Sequence, residues 1–139
     1  MEILLDTSFL LPTLGVDVEE RVYRALKSLR KAELYYLEEG LLEAIWLILK
    51  FLDKIPEDVI EEGVEAIRRD YQVLKPPGRA VIDAIKIYRL GHRDYIDALY
   101  YTTALYHNVK WLTIDETFID FLQRHGYKVK DLIMVPKEI

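Results

Sequence analysis

At 139 residues the chain is long enough to bury a core of its own without disulfides or a structural metal. Its 51% hydrophobic and 31% charged residues exclude a disordered protein, and a net charge of −5 excludes one that holds nucleic acid by bulk positive charge. With no cysteine there is no disulfide framework, no thiolate metal site and no cysteine nucleophile.

The N-terminus, Met-Glu-Ile-Leu-Leu-Asp, lacks the basic start and long apolar run of a signal peptide. The longest apolar stretch, Ala44 to Leu49, is too short to cross a bilayer, so a soluble cytoplasmic protein with no membrane partner is expected. Asn108 is the only asparagine and Gln72 and Gln123 the only glutamines. Beside abundant Glu, Lys and Arg, this leans towards a thermophilic source.

In chain order, Ile3-Leu4-Leu5 is a short strand ending at Asp6. A helical segment follows Ser8 and is broken by Gly15. Asp17 or Val18 to Lys31 forms an amphipathic helix with Val18, Val22, Ala25, Leu26 and Leu29 on one face. Glu33 to Leu37 is a Tyr-rich second strand. Gly40 to Leu52 is a helix apolar almost all round, hence expected at the centre. Glu57 to Arg69 is a helix with Val59, Ile60, Val64 and Ile67 inward. Tyr71 to Leu74 is a short third strand, stopped by Pro76-Pro77-Gly78. Arg79 to Leu90 is helical and capped by Gly91. Helix Asp94 to His107, strand Lys110 to Ile114, helix Glu116 to Arg124 and an edge strand within Asp131 to Val135 complete the chain. Short apolar strands alternating with helices predict an α/β fold with three α/β/α layers around a central parallel sheet. No linker or repeat divides the sequence, so residues 1–139 are expected to form a single domain.

The acids fall at informative places. Asp6 and Asp115 each close a predicted strand, and in open parallel sheets ligands bind beyond the carboxyl ends of strands. Glu43 sits early in a helix among Leu41, Leu42, Ala44, Ile45, Trp46 and Leu47, where a carboxylate is costly to bury without a partner. Asp97 lies in the first turn of its helix, one turn after Asp94. Each has an ordinary structural reading as well. Asp115 before Glu116-Thr117-Phe118, and Asp94 before Asp97, have the pattern of helix N-caps. Glu43 in a first turn gains from the helix dipole. Asp6 is harder to explain away, because aspartate is depleted in strands.

The segments Leu4-Leu5-Asp6-Thr7-Ser8-Phe9-Leu10-Leu11, Leu41-Leu42-Glu43-Ala44, Asp97-Ala98-Leu99-Tyr100-Tyr101-Thr102-Thr103-Ala104 and Leu112-Thr113-Ile114-Asp115 resemble, in this order, the PIN domain. The resemblance covers essentially the whole chain, and its size resembles the VapC toxins of bacterial and archaeal toxin–antitoxin pairs. It implies a metal-dependent ribonuclease whose acidic positions are Asp6, Glu43, Asp97 and Asp115. Ser8 and Thr113 match supporting hydroxyl positions, and Asp94 is assigned first to capping and only then to steadying a ligand or holding the metal. Where the family often has a Ser or Thr cap before the glutamate helix, this chain has Glu38-Glu39-Gly40. The resemblance also implies a homodimer, an RNA substrate and a small antitoxin partner covering the acidic groove.

Clustered carboxylates repel one another, so some are protonated or a cation neutralises them. All-oxygen ligands favour hard cations, so Mg²⁺ or Mn²⁺ is expected rather than Zn²⁺. His92, His107 and His125 are scattered and read as surface or helix-end residues. Arg79, Arg93 and Lys110 are candidate guides for an RNA backbone, although a solvated surface charge is the simpler reading of each. Tyr35, Tyr36, Tyr95, Tyr100, Tyr101 and Tyr106 read as core or dimer contacts rather than base-stacking platforms. Two other functions compete: a PIN-fold scaffold that binds RNA or protein without cleaving, and a phosphatase-like phosphoryl transferase. The second fits poorly, because Ser8 stands where that class calls for a second Asp, and Lys110 precedes the last strand.

Overall fold

A computed structural model describes residues 1–51 and 54–139. The strands are β1 (Glu2–Leu5), β2 (Glu33–Tyr36), β3 (Gln72–Val73), β4 (Lys110–Leu112) and β5 (Ile133–Met134). The helices are α1 (Glu20–Ser28), α2 (Glu38–Phe51), α3 (Glu57–Asp70), α4 (Gly78–Arg89), α5 (Tyr95–His107) and α6 (Glu116–Arg124), with 3-10 turns at Thr7–Phe9, Pro12–Leu14 and Pro136–Glu138. The alternation expected from the sequence is present, with element ends shifted by up to a few residues in either direction. The start of α1 moves to Glu20 because Glu19 is still extended (φ −60°, ψ 146°). The expected end of the glutamate helix at Leu52 lies outside the described residues.

The strands form one five-stranded sheet in the order β3-β2-β1-β4-β5, and every neighbouring pair is parallel. The chain therefore builds outwards from β1 to β3, then returns to the other side of β1 to add β4 and β5. Right-handed crossovers in opposite directions place helices on opposite faces. On one face α1 packs Val22, Ala25 and Leu29 against Ile3, Leu5 and Leu112. On the other, residues of α4, α5 and α6 pack on Leu4, Trp111 and Ile133. β1 alternates between the two cores, Ile3 and Leu5 to one and Leu4 to the other, as period-2 side chains require. All three are fully buried, so a strand that reads as continuously apolar is the central one.

Two expectations about the flanking helices change. α2 packs Leu41, Ala44 and Ile48 inward, but Leu42, Trp46 and Leu49 stand exposed on its outer side. An apolar composition all round thus marks a peripheral helix with an uncovered stripe, not a central one. Val59 of α3 is exposed as well, while Ile67 is buried and Ile60 and Val64 pack against the same core.

The reversal of strand order between β1 and β4 is a topological switch point, where the connections leave in opposite directions and open a crevice at the carboxyl ends. Asp6 follows β1 there, and its backbone N–H still donates to Leu112 of β4 at 3.0 Å. Thr113 continues the ladder towards β5, donating its N–H to Met134 at 3.0 Å, before the chain turns into α6 at Asp115.

Candidate active site

Asp6 is only 6% exposed, and its carboxylate accepts the Thr113 hydroxyl, Oγ1 to Oδ2, at 3.2 Å. Burial and the nearby charge of Glu43 push its pKa up to about 7, with a smaller push from Asp115, while Thr113 and the Thr7 backbone hold it down. Asp97, 9% exposed, is raised further by burial and then by Asp6, Asp94 and Asp115. Glu43 is half-buried and also raised, chiefly by burial and then by Asp94, while the Thr7 hydroxyl draws it part of the way down. Asp6, Glu43, Asp94, Asp97 and Asp115 thus form one electrostatically linked group at the switch point.

The N-cap readings of Asp94 and Asp115 hold, and they are compatible with membership of this group. Asp94 Oδ1 accepts the backbone N–H of Asp97 at 3.1 Å. Asp115 Oδ1 accepts the backbone N–H of Phe118 at 3.0 Å. Each cap spends one oxygen on its helix and leaves the charge to act on its neighbours. Glu43 sits two residues deeper than expected, in the second turn, because α2 begins at Glu38 rather than Gly40. Glu38 accepts from the Tyr36 hydroxyl at 2.6 Å and from Arg68 Nη2 at 2.7 Å, which anchors the helix start from two other elements. The helix dipole therefore contributes less to Glu43 than a first-turn position implies.

The supporting hydroxyls also divide differently. Thr113 bonds Asp6 as expected, and its Oγ1 further accepts the backbone N–H of Asp115 at 3.1 Å. Ser8 is half-buried and, among the described residues, makes no side-chain hydrogen bond to an acid. Thr7 beside it points inward, buried and donating to the Tyr100 hydroxyl at 3.3 Å. Tyr100, fully buried, has its own pKa raised by burial and by Asp6, Glu43 and Asp97, which places the phenol within the acidic group. It gains that place through Gly40, where an added Cβ would lie 1.7 Å from the Tyr100 hydroxyl oxygen. Tyr100 follows Asp97 by one helical turn, a spacing the sequence displays, but the role of Gly40 depends on α2 packing against α5.

A PIN domain model matches residues 3–121. The chain belongs to the PIN domain family. Solved structures with the same fold include a toxin–antitoxin complex from Klebsiella pneumoniae, 13% identical over 99% of each chain at a TM-score of 0.64. VapBC2 from Rickettsia felis, bound to a DNA fragment from its promoter, is 12% identical over 97% of this chain and 98% of that one, with a TM-score of 0.66. FitAcB from Neisseria gonorrhoeae is 20% identical over 99% of each chain, with a TM-score of 0.61. No curated protein matches the sequence.

Several residues outside the acidic motifs behave differently from their sequence readings. His92 is no surface residue: its Nε2 lies 3.3 Å from Asp97 Oδ2. His107 and His125 do lie at helix ends, bonded to the carbonyls of Lys75 and Phe121. Of the candidate RNA guides, Lys110 opens β4 at the amino edge of the sheet, opposite the acids, and bonds the Asp131 carbonyl. Arg79 pairs with Asp83 at 3.6 Å, and Arg93 lies over the Tyr88 ring. Among the described residues no three acidic or histidine side chains stand close enough, as placed, to hold an ion together.

Proposed function

We propose that this PIN domain is a divalent-metal-dependent endoribonuclease that hydrolyses RNA phosphodiester bonds, the toxin of a toxin–antitoxin pair. The observation that carries the reading is the placement of two buried aspartates, Asp6 and Asp97, in one mutually repelling group with Glu43 and Asp115. Without compensation such a group takes up protons; a divalent cation relieves the same repulsion. PIN domains are generally nucleases, which supports the same reading.

The donor set suits Mg²⁺ or Mn²⁺, being all carboxylate oxygen. Mg²⁺ commonly takes one or two carboxylates and completes its shell with water and substrate phosphate, so a ready-made cage of three side chains is not a requirement. Asp6, Asp97 and Asp115 would hold the ion, with Asp94 kept to its cap. When bound, the ion would acidify a water and steady charge on the phosphoryl oxygens. Thr113 holds Asp6 through one carboxylate oxygen and the Phe118 N–H holds Asp115 through one of its own, so both side chains would be ordered before an ion arrived. Glu43, the more open acid, would orient the attacking water or take its proton.

A small antitoxin protein is the proposed partner. The uncovered stripe Leu42, Trp46 and Leu49, with exposures of 71%, 58% and 56%, lies on the helix that carries Glu43 and supports such a contact. Assembly as a homodimer in the cytoplasm, with residues 1–139 as one domain, belongs to the same proposal. Among the described residues no helix is long and apolar enough to cross a membrane.

The deciding experiment incubates purified protein with structured and unstructured RNA in Mg²⁺, in Mn²⁺ and in chelator, beside the Asp6→Asn and Asp97→Asn variants. Cleavage that needs the metal and disappears in both variants is the expected result. Cleavage retained by the variants would mean a contaminating nuclease and would sink the site. Metal binding without cleavage would favour the non-cleaving scaffold.

A further inference from the structure

The turn between α4 and α5 carries a side chain that the chemistry above leaves unused. Gly91 adopts φ +125°, a conformation L side chains rarely take, and the chain reverses there so that His92 enters the acidic group. The His92 side chain is 16% exposed and that of Asp97 12%, with Nε2 3.3 Å from Oδ2. Its ring lies on Phe118, centroids 4.1 Å apart and planes 20° apart, and reaches Phe121 at 5.4 Å. Phe118 belongs to α6, and its backbone N–H is the one that Asp115 caps. One imidazole therefore touches the Asp97 carboxylate and the helix that begins at Asp115.

We propose that His92 is a positioning residue that holds Asp97 by Oδ2, fixes α5 against α6 through its stack on Phe118, and so presents Asp97 Oδ1 to a divalent cation. The proposal rests on the metal-dependent reading. The carboxylate torsion of aspartate is a broad, shallow well, so an unheld Asp97 would have to be ordered at the moment of binding. Asp94 bonds only the backbone N–H of Asp97 and leaves its carboxylate free to turn. His92 does for Asp97 what Thr113 does for Asp6. An ionised carboxylate selects the imidazole tautomer with hydrogen on Nε2, and the donated bond fixes the plane of the acid. The aromatic stack sets the ring's own orientation, so the hydrogen bond does not depend on a freely swinging donor.

The test titrates Mn²⁺ calorimetrically into the full chain after chelator treatment, for wild type, His92→Phe, His92→Gln and Asp97→Asn, with metal-free melting curves for each. His92→Phe keeps the stack and loses the donor, so Mn²⁺ affinity is expected to fall about 10- to 100-fold with little change in metal-free melting. His92→Gln restores a donor near the Nε2 position without the stack and should recover part of that loss. Wild-type affinity in His92→Phe would overturn the proposal, as would a His92→Gln no better than His92→Phe. Mn²⁺ binding that Asp97→Asn abolishes and His92→Phe leaves intact would remove the positioning role alone. No Mn²⁺ binding by wild type would overturn the metal-dependent reading and this proposal with it.

Discussion

Thr113 donates its hydroxyl to Asp6 Oδ2 at 3.2 Å across the junction where β1 and β4 end, and the same oxygen accepts the Asp115 N–H at 3.1 Å. One hydroxyl thereby fixes one acid directly and the backbone of another. Thr113→Val keeps the shape and removes both bonds, leaving the Asp115 N–H without its acceptor. The expected stability loss is about 1–2 kcal/mol in denaturant unfolding. RNA cleavage should fall at least about tenfold, because an unheld carboxylate meets its ion poorly. Thr113→Ser keeps the hydroxyl and should retain most activity. A fully active Thr113→Val enzyme would contradict the linkage.

The pH dependence of stability follows from Asp6. Its folded pKa of about 7 lies above the value near 3.9 of an unfolded aspartate. The folded state therefore binds more protons than the unfolded state between those values, and stability falls as pH rises. The contribution is fully present below about pH 4 and lost as pH passes about 7. Asp97 is raised too and extends the decline upward. Melting of chelated protein is expected to weaken across this window, with Mn²⁺ reversing the trend. Asp6→Asn, which cannot ionise, should be more stable than wild type at pH 7.5 in chelator, by up to about 4 kcal/mol. If chelated wild type is instead most stable at pH 7.5, the electrostatic description of the site is wrong.

How far sequence reaches depends on the range of the interactions involved. β1 and Asp6 were legible because a buried parallel strand is apolar on both faces and an acid at its end stands out. Asp94 and Asp115 were legible as caps because capping is a contact between residues three apart. The early start of α2 was not, because Glu38 is anchored by Arg68 from α3 and by Tyr36 from β2. Thr7 rather than Ser8 faces the acids because the chain enters a 3-10 turn after Asp6, which alternation along a strand does not anticipate. His92 read as a surface or helix-end residue because its ring is placed by Phe118, a partner on another helix.

Gly40 offers a packing prediction. A Cβ there would lie 1.7 Å from the Tyr100 hydroxyl and 2.7 Å from the ring carbon that bears it. Tyr100 is fully buried and has no room to yield, so Gly40→Ala pushes α2 away from α5 and carries Glu43 with it. A cost of about 1–3 kcal/mol is expected from overpacking, together with loss of cleavage. Tyr100→Phe removes the nearer atom but not the second, so the double variant should be less destabilised than the sum of the singles. Strict additivity would show that the two residues do not meet.

Asp94 separates a structural from an electrostatic role within one side chain. As the N-cap of α5 it accepts the Asp97 N–H at 3.1 Å, and as a charge it raises Asp97 and Glu43. Asparagine caps helices about as well as aspartate but carries no charge, whereas alanine does neither. Asp94→Ala should lose about 1 kcal/mol in thermal or denaturant unfolding, and Asp94→Asn only a few tenths. Both remove a negative neighbour, so Asp97 and Glu43 should ionise at lower pH, and the acid limb of the pH–rate profile should shift down in both variants. If the charge of Asp94 were itself needed to hold the cation, Asp94→Asn would lose Mn²⁺ affinity as severely as Asp97→Asn. A stable Asp94→Asn with near-normal Mn²⁺ affinity and a lowered acid limb would leave Asp94 as cap and electrostatic neighbour, and Asp97 as the ligand.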